Sequence, residues 1–311
     1  MARAFLFPGQ GAQVIGMGRD LAGAYPAAAA VFAEVDEALG APLSAMIWEG
    51  ELEELTLTEN AQPALMATSI AALRALEAEG VGIGTAVFVA GHSLGEYSAL
   101  CAAGALGLGD AARLLRLRGR AMQAAAPVGT GAMAAILGLD IGAVEAVVAE
   151  AAQGEVCAAA NDNDPAQVVV SGDRAAVGRA VELAKAKGAK RAILLPVSAP
   201  FHCALMAPAA EAMAAALAEV AIVAPAVPVV ANVRAEGVSD PEEIRRLLVE
   251  QVTARVRWRE SVAWMAGHGV TETVELGAGK ALSGMVRRIA KDVETKAVSG
   301  PDDVRALAGE A

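Results

Sequence analysis

The chain has 311 residues, enough for one large domain or for a large domain carrying a smaller insert. Hydrophobic residues make up 55% of it but aromatics only 3%, so the core must be built from Ala, Val, Leu, Ile and Met. The net charge of −11 argues against nonspecific nucleic-acid binding, and no apolar run reaches the ~18–20 residues of a membrane span.

In chain order, residues 4–7 predict a short apolar strand, closed by the loop Pro8-Gly9-Gln10-Gly11. Residues 17–39 predict helix, broken near Pro26. A long amphipathic helix is predicted over about 62–79, with Pro63 in its first turn and Gly80 past its end. A strand over 86–90 runs into a sharp turn and a helix over about 96–103. A further helix, about 109–126, stops before Pro127. This alternation predicts a parallel sheet with helices on its faces. The middle of the chain differs. Residues 131–137 are strand-like, 141–152 helical, 155–160 and 167–171 strand-like, 173–187 helical and 191–195 strand-like. That β-α-β-β-α-β order is a ferredoxin-like module, bounded by Pro127-Val128-Gly129 and by Pro196 with Pro200. The expected organisation is therefore a large domain of 1–127 and 197–311 with an inserted domain of 128–196. The large domain resumes with helix over 203–219, strand over 228–231, helix from Pro241, helix near 258–267, strand over 271–276 and helix over 280–291. The tail after about Gly300 is expected to be loose. Cys101, Cys157 and Cys203 have no metal-ligand spacing and read as reduced thiols of a cytoplasmic protein. The N-terminus leads directly into a strand, not into the apolar core of a signal peptide.

The chemistry centres on Gly91-His92-Ser93-Leu94-Gly95-Glu96. Gly-x-Ser-x-Gly between a buried strand and a helix is the pattern of a nucleophile elbow. The tight turn exposes the serine hydroxyl, and the flanking glycines let the chain cross itself closely. The helix aims its N-terminal N–H groups at a developing oxyanion. Ser93 needs a base, and there are three histidines. His92 is adjacent in a tight turn and points away; it belongs with the substrate-binding residues. His268, in Ala266-Gly267-His268-Gly269, reads as a surface turn. His202 lies where the insert returns to the large domain, and it is the expected base. No single Asp or Glu stands out as its orienting partner. The Leu94 N–H is the expected first oxyanion donor; the glycine-flanked loop at Gln10 supplies the second or is a plain turn.

With Phe7-Pro8-Gly9-Gln10-Gly11-Ala12-Gln13, the elbow, Arg118-Gly119 with Met122, Phe201-His202 and Gln251 in this order, the chain closely resembles the malonyl-CoA–acyl carrier protein transacylases of fatty acid synthesis and the acyltransferase domains of polyketide synthases. The resemblance covers nearly the whole chain. It implies an α/β-hydrolase-like large domain with a ferredoxin-like insert, and transfer of malonyl from CoA to serine and on to the phosphopantetheine thiol of acyl carrier protein. It implies Ser93 as nucleophile, His202 as base oriented by a backbone carbonyl near Gln251, and Gln10 with the Leu94 N–H as oxyanion hole. Arg118 would pair with the malonyl carboxylate, and Phe201 would crowd the acyl α-carbon. Malonyl-CoA is then a substrate, with no cofactor or metal required. The sequence departs from the family at Ala278 and at Arg255, where proline is common.

A planar guanidinium holds a carboxylate with two parallel hydrogen bonds, which acetyl cannot offer; this is the physical basis for malonyl selectivity. Acyl carrier proteins are acidic, as is this chain, so docking requires a local basic patch. Arg287, Arg288 and Lys291 are expected on one helix face for that purpose, and Lys190 with Arg191 for the CoA phosphates. A cytoplasmic monomer is expected. The competing readings are a serine esterase or thioesterase, which shares the elbow and base, and a non-catalytic carrier-binding scaffold, against which the intact Ser93/His202 pair argues.

Overall fold

The run Arg3–Phe7 forms strand β1 in the computed structural model, which describes residues 2–127, 129–197 and 199–309. Helices α1 (Arg19–Ala24) and α2 (Pro26–Leu39) are separated at Pro26 as expected, followed by two short helices the sequence did not announce, α3 (Leu43–Glu49) and α4 (Leu52–Thr56). Helix α5 (Thr58–Ala78) buries 17 of its 21 residues and is wrapped by α2 and by α7 (Leu108–Ala125). It begins four residues before the expected start, so Pro63 lies inside it. Proline forfeits one backbone hydrogen bond there, about 1 kcal/mol net, which burial on all sides easily outweighs.

Strand β2 (Ala86–Gly91) leads into α6 (Gly95–Ala102). After α7 come β3 (Gly131–Leu137), α8 (Ile141–Ala152), β4 (Cys157–Asp164), β5 (Gln167–Asp173), α9 (Arg174–Ala186) and β6 (Arg191–Leu194). These strands form an antiparallel sheet of order β4-β5-β3-β6, the ferredoxin-like arrangement. One face, with Ala134, Ile136, Val168 and Val170, packs on α8 and α9 in a core of its own. The alternate residues Met133, Ala135 and Val169 face the other way, into a cleft against the large sheet. Strand β4 extends through Asp164, beyond the expected 155–160, because its polar end Asn161–Asp164 is paired with β5 and buried at the junction.

The chain then adds α10 (Ala207–Ala218), β7 (Val229–Ala231), β8 (Glu236–Val238), α11 (Pro241–Gln251), α12 (Trp258–Gly267), β9 (Glu272–Leu276), α13 (Ala281–Ile289), β10 (Glu294–Val298) and α14 (Pro301–Ala308). The large sheet has the order β10-β9-β1-β2-β7-β8, parallel except for β8 at one edge. Its central strands are covered on both sides, which is why β1 and β2 read as continuous apolar runs. The expectation of a loose tail is corrected: α14 buries Val304 and Leu307, and Asp303 accepts the Ser299 and Gly300 N–H groups at its start. Pro301 at the first turn and Asp303 two residues on are the start signal that the sequence carried.

Candidate active site

The parallel neighbours β1, β2 and β7 end together, and the loops beyond them build the site. Ser93 sits at the tip of the turn after β2 with φ of +55°, a left-handed conformation that non-glycine residues rarely adopt. Two glycines make the turn possible. A Cβ on Gly91 would stand 1.9 Å from the Gly95 carbonyl, and one on Gly95 would stand 2.2 Å from the Phe7 carbonyl oxygen. Asn232, the residue after β7, ties the turn down: its Oδ1 accepts the Ser93 N–H at 2.8 Å and its Nδ2 donates to the Gly91 carbonyl at 2.7 Å.

His202 lies in the loop before α10, also at positive φ (+58°), with Nε2 2.8 Å from Ser93 Oγ. Its Nδ1 is 2.9 Å from the Gln251 main-chain carbonyl. A carbonyl only accepts, so Nδ1 carries the proton and Nε2 offers its lone pair to the serine O–H. A backbone oxygen at the end of α11 does the orienting, which explains why no carboxylate was legible as a partner. Burial, with the Arg118 charge adding to it, pushes the His202 pKa down to about 3, so the ring is a neutral base near pH 7.

Arg118 is carried by α7, whose close approach to α5 is set by Gly119; a Cβ there would stand 2.4 Å from the Glu59 Cα. The guanidinium is 1% exposed. It donates to Gln62 Oε1 at 2.8 Å, Gln251 Oε1 at 2.9 Å and Ser93 Oγ at 3.2 Å, and it lies over the Tyr97 ring. Among the described residues it has no ion pair. A buried cation aimed at the nucleophile, held by neutral acceptors alone, is a ready receptor for a carboxylate on the acyl group.

Ser93, His202, Arg118 and Gln62 line one cleft of about 460 Å³ between the large sheet and the β3–β6 sheet, together with Gln10, Leu94, Phe201 and His92, while Gln251 lies behind its wall. The Leu94 N–H finds no acceptor among the described residues. Gln10 accepts from Thr58 Oγ1 through its side chain. His92 points away from Ser93, as expected. Its Nε2 is 2.9 Å from Asn163 Oδ1 and its ring packs edge-on against Trp258, linking the elbow to β4; burial lowers its pKa. His268 caps α12 and stacks on Trp264, away from the cleft.

The basic residues divide. Lys291 lies beyond the end of α13, so the expected single helix face of Arg287, Arg288 and Lys291 does not form. Arg288 pairs with the buried Asp164 of β4 at 2.7 Å, and Arg287 donates to Thr295. Arg191 stands opposite Leu137 and Ile193 opposite Ala135, which puts Arg191 on the cleft side of the small sheet; Lys190 precedes the strand. The sequence reading missed Asn232, Gln62, Asn163 and Glu96. Asn232 carried a signal, a polar residue at the end of the apolar run Val229-Val230-Ala231, but its relevance depends on β7 pairing with β2.

The acyl transferase domain family model matches residues 4–303. A malonyl CoA-acyl carrier protein transacylase of Bacillus subtilis is 49% identical over 302 residues, covering 97% of this chain and 94% of that protein. The protein of that name from Escherichia coli K12 is 47% identical, covering 97% of each. Among solved structures, an acyl-carrier-protein-S-malonyltransferase from Bartonella henselae superposes with a TM-score of 0.97 at 54% identity, covering 99% of this chain and 100% of that one. A malonyl-transacylase in complex with a type II PKS acyl-carrier protein superposes with a TM-score of 0.97 at 42% identity, covering 100% of both. With nearly every residue inside the family match, the chain belongs to the acyl transferase family.

Proposed function

We propose that this enzyme transfers malonyl from malonyl-CoA to the phosphopantetheine thiol of acyl carrier protein, through a malonyl-serine on Ser93, in the service of fatty acid synthesis. The observation that carries the reading is Arg118: a buried guanidinium within hydrogen-bond reach of Ser93 Oγ and, among the described residues, with no carboxylate in direct contact. His202 Nε2 takes the Ser93 proton as the oxygen attacks the thioester carbonyl. The negative charge that develops on the carbonyl oxygen meets the Leu94 N–H and the Gln10 loop. The carbon–sulfur bond breaks and the proton passes to the CoA sulfur. The carrier-protein thiol then repeats these steps in reverse. Throughout, Arg118 holds the free carboxylate, with Gln251 and Gln62 fixing its plane, and Phe201 crowds the α-carbon.

Residues 128–196 act as an inserted domain that closes the cleft, and Arg191 on its cleft side meets the CoA phosphates. Arg287 contributes to carrier-protein docking. Malonyl-CoA is a substrate, and the steps call on no cofactor. The enzyme works as a cytoplasmic monomer. Names of similar relatives support this substrate and acceptor. Intact-mass measurement after mixing with malonyl-CoA tests it: one malonyl adduct is expected on the wild type and none on Ser93→Ala. The adduct should persist in buffer and leave when acyl carrier protein is added. Loss within seconds in buffer alone would instead mark a thioesterase.

A further inference from the structure

Glu96 is fully inside the protein, on the first turn of α6, three residues after the nucleophile. Its Oε2 accepts two hydrogen bonds, both from neutral donors: the Asn232 main-chain N–H at 2.9 Å and Gln251 Nε2 at 2.9 Å. The other end of the same Gln251 carboxamide, Oε1, accepts from Arg118 Nη2 at 2.9 Å. One amide group thus separates a buried carboxylate from a buried guanidinium, and keeps them from closing into a direct pair. We infer that Glu96 is the counter-charge of Arg118 in the empty enzyme, held one amide away, and that it surrenders its charge by taking up a proton when the malonyl carboxylate docks on Arg118. This rests on the malonyl-transfer reading above and makes Glu96 a positioning residue for that reaction.

The charge count explains why. Arg118 and Glu96 together are neutral. A malonyl carboxylate adds a second negative charge to the same buried cation, and of two carboxylates around one cation the less well paired, here Glu96 one amide away, has its pKa raised. Burial already pushes Glu96 to about 7, with the Asn232 and Gln251 hydrogen bonds and the Arg118 charge pulling against it. Burial lowers the pKa of His92, beside the nucleophile. Tyr97 on α6 is pushed up to about 12 and His202 down to about 3, both mainly by burial. Acyl transfer itself moves the serine proton to the CoA thiol, so it takes up none from solution.

The test is proton uptake on loading, read with a pH indicator in weak buffer, with intact mass giving the malonyl-serine formed. Near pH 7.5 the wild type should take up about half a proton per malonyl-serine, the amount expected if a pKa near 7 rises by a unit or more. Uptake should fade toward pH 5, where Glu96 is protonated in both states. Glu96→Gln keeps an acceptor for Asn232 and Gln251 but cannot titrate, so its malonyl-serine should form without uptake. Absence of malonyl-serine on the wild type overturns the functional reading and this inference with it. Malonyl-serine without uptake, or equal uptake in Glu96→Gln, overturns the Glu96 role alone. If Glu96→Gln does not fold, the wild-type pH dependence decides: uptake that is constant from pH 5 to pH 8 refutes it.

Discussion

Arg118→Ala separates recognition from chemistry. In the folded enzyme the guanidinium is enclosed, donates to Gln62, Gln251 and Ser93, and touches no carboxylate among the described residues, Glu96 being held one amide away. A malonyl carboxylate would receive two charge-assisted hydrogen bonds from it. Losing such a pair costs about 2–4 kcal/mol. At 1.36 kcal/mol per factor of ten, malonyl loading should fall roughly 30- to 1000-fold. Acetyl loading never used the pair and should change far less. The side chain also satisfies two buried amide oxygens, so Arg118→Ala should lose stability as well, by about 1–3 kcal/mol for each acceptor left without a donor. Loading must therefore be compared below the melting transition, as a malonyl-to-acetyl ratio of second-order rates from CoA release. Arg118→Lys keeps the charge without the fork and should fall between wild type and alanine. A malonyl-to-acetyl ratio equal to that of the wild type in Arg118→Ala would show that the arginine only supports the fold.

Asn232→Ala should lower both stability, by at least about 2 kcal/mol in denaturant titration, and the rate of Ser93 acylation, because two elbow backbone groups lose their partner; unaltered acylation would mean the elbow holds itself. His202 should keep the NMR signature of a neutral, Nδ1-protonated ring down to pH 5, since its pKa is lowered; a titration midpoint near 6.5 contradicts the buried dyad. The same shift makes the folded state the weaker proton binder, so this residue's contribution to stability is present above pH 6.5 and is lost as pH falls toward the folded value. Arg287→Glu should raise the KM for acyl carrier protein, less so at high salt, and leave malonyl loading unchanged; equal damage to both half-reactions excludes docking there. Arg288→Glu is the wrong probe for docking, because it strands the buried Asp164.

The elbow was legible because its constraints are local. Gly91, Ser93 and Gly95 fall within five consecutive positions, and the crossing they permit involves the turn's own backbone with Phe7 and Pro8 beside it. His202 was legible because only three histidines compete. The β-α-β-β-α-β order over residues 131–194 was readable because each of its elements follows from its own apolar run and the turn residues that bound it. What stayed hidden depends on neighbours distant in sequence. Glu96, Gln62 and Asn232 acquire their roles only when β7 lies beside β2 and α5 beside α7. Strand β10, with Glu294 and Lys296 in a five-residue run, has the polar character of a sheet edge and gave no apolar pattern to read. The pairing of Arg288 with Asp164 stayed hidden because helical spacing places side chains on a face without telling what that face meets.

The junction between the two sheets has a consequence for anyone recombining relatives of this enzyme. Asp162 and Asp164 of β4 are buried, and their countercharges, Arg259 and Arg288, come from α12 and α13, about a hundred residues downstream. A chimera that takes β3–β6 from one parent and the remainder from another inherits each carboxylate without a guarantee of its arginine. One stranded carboxylate costs about 3–5 kcal/mol. Two would consume much of the roughly 5–15 kcal/mol that keeps a protein folded. Crossover points that appear silent by backbone superposition are thus destabilising unless both acid–arginine couples travel together. Where they do, the cleft wall formed by Met133, Ala135 and Val169 becomes an exchangeable surface for retuning which acyl chains the elbow receives.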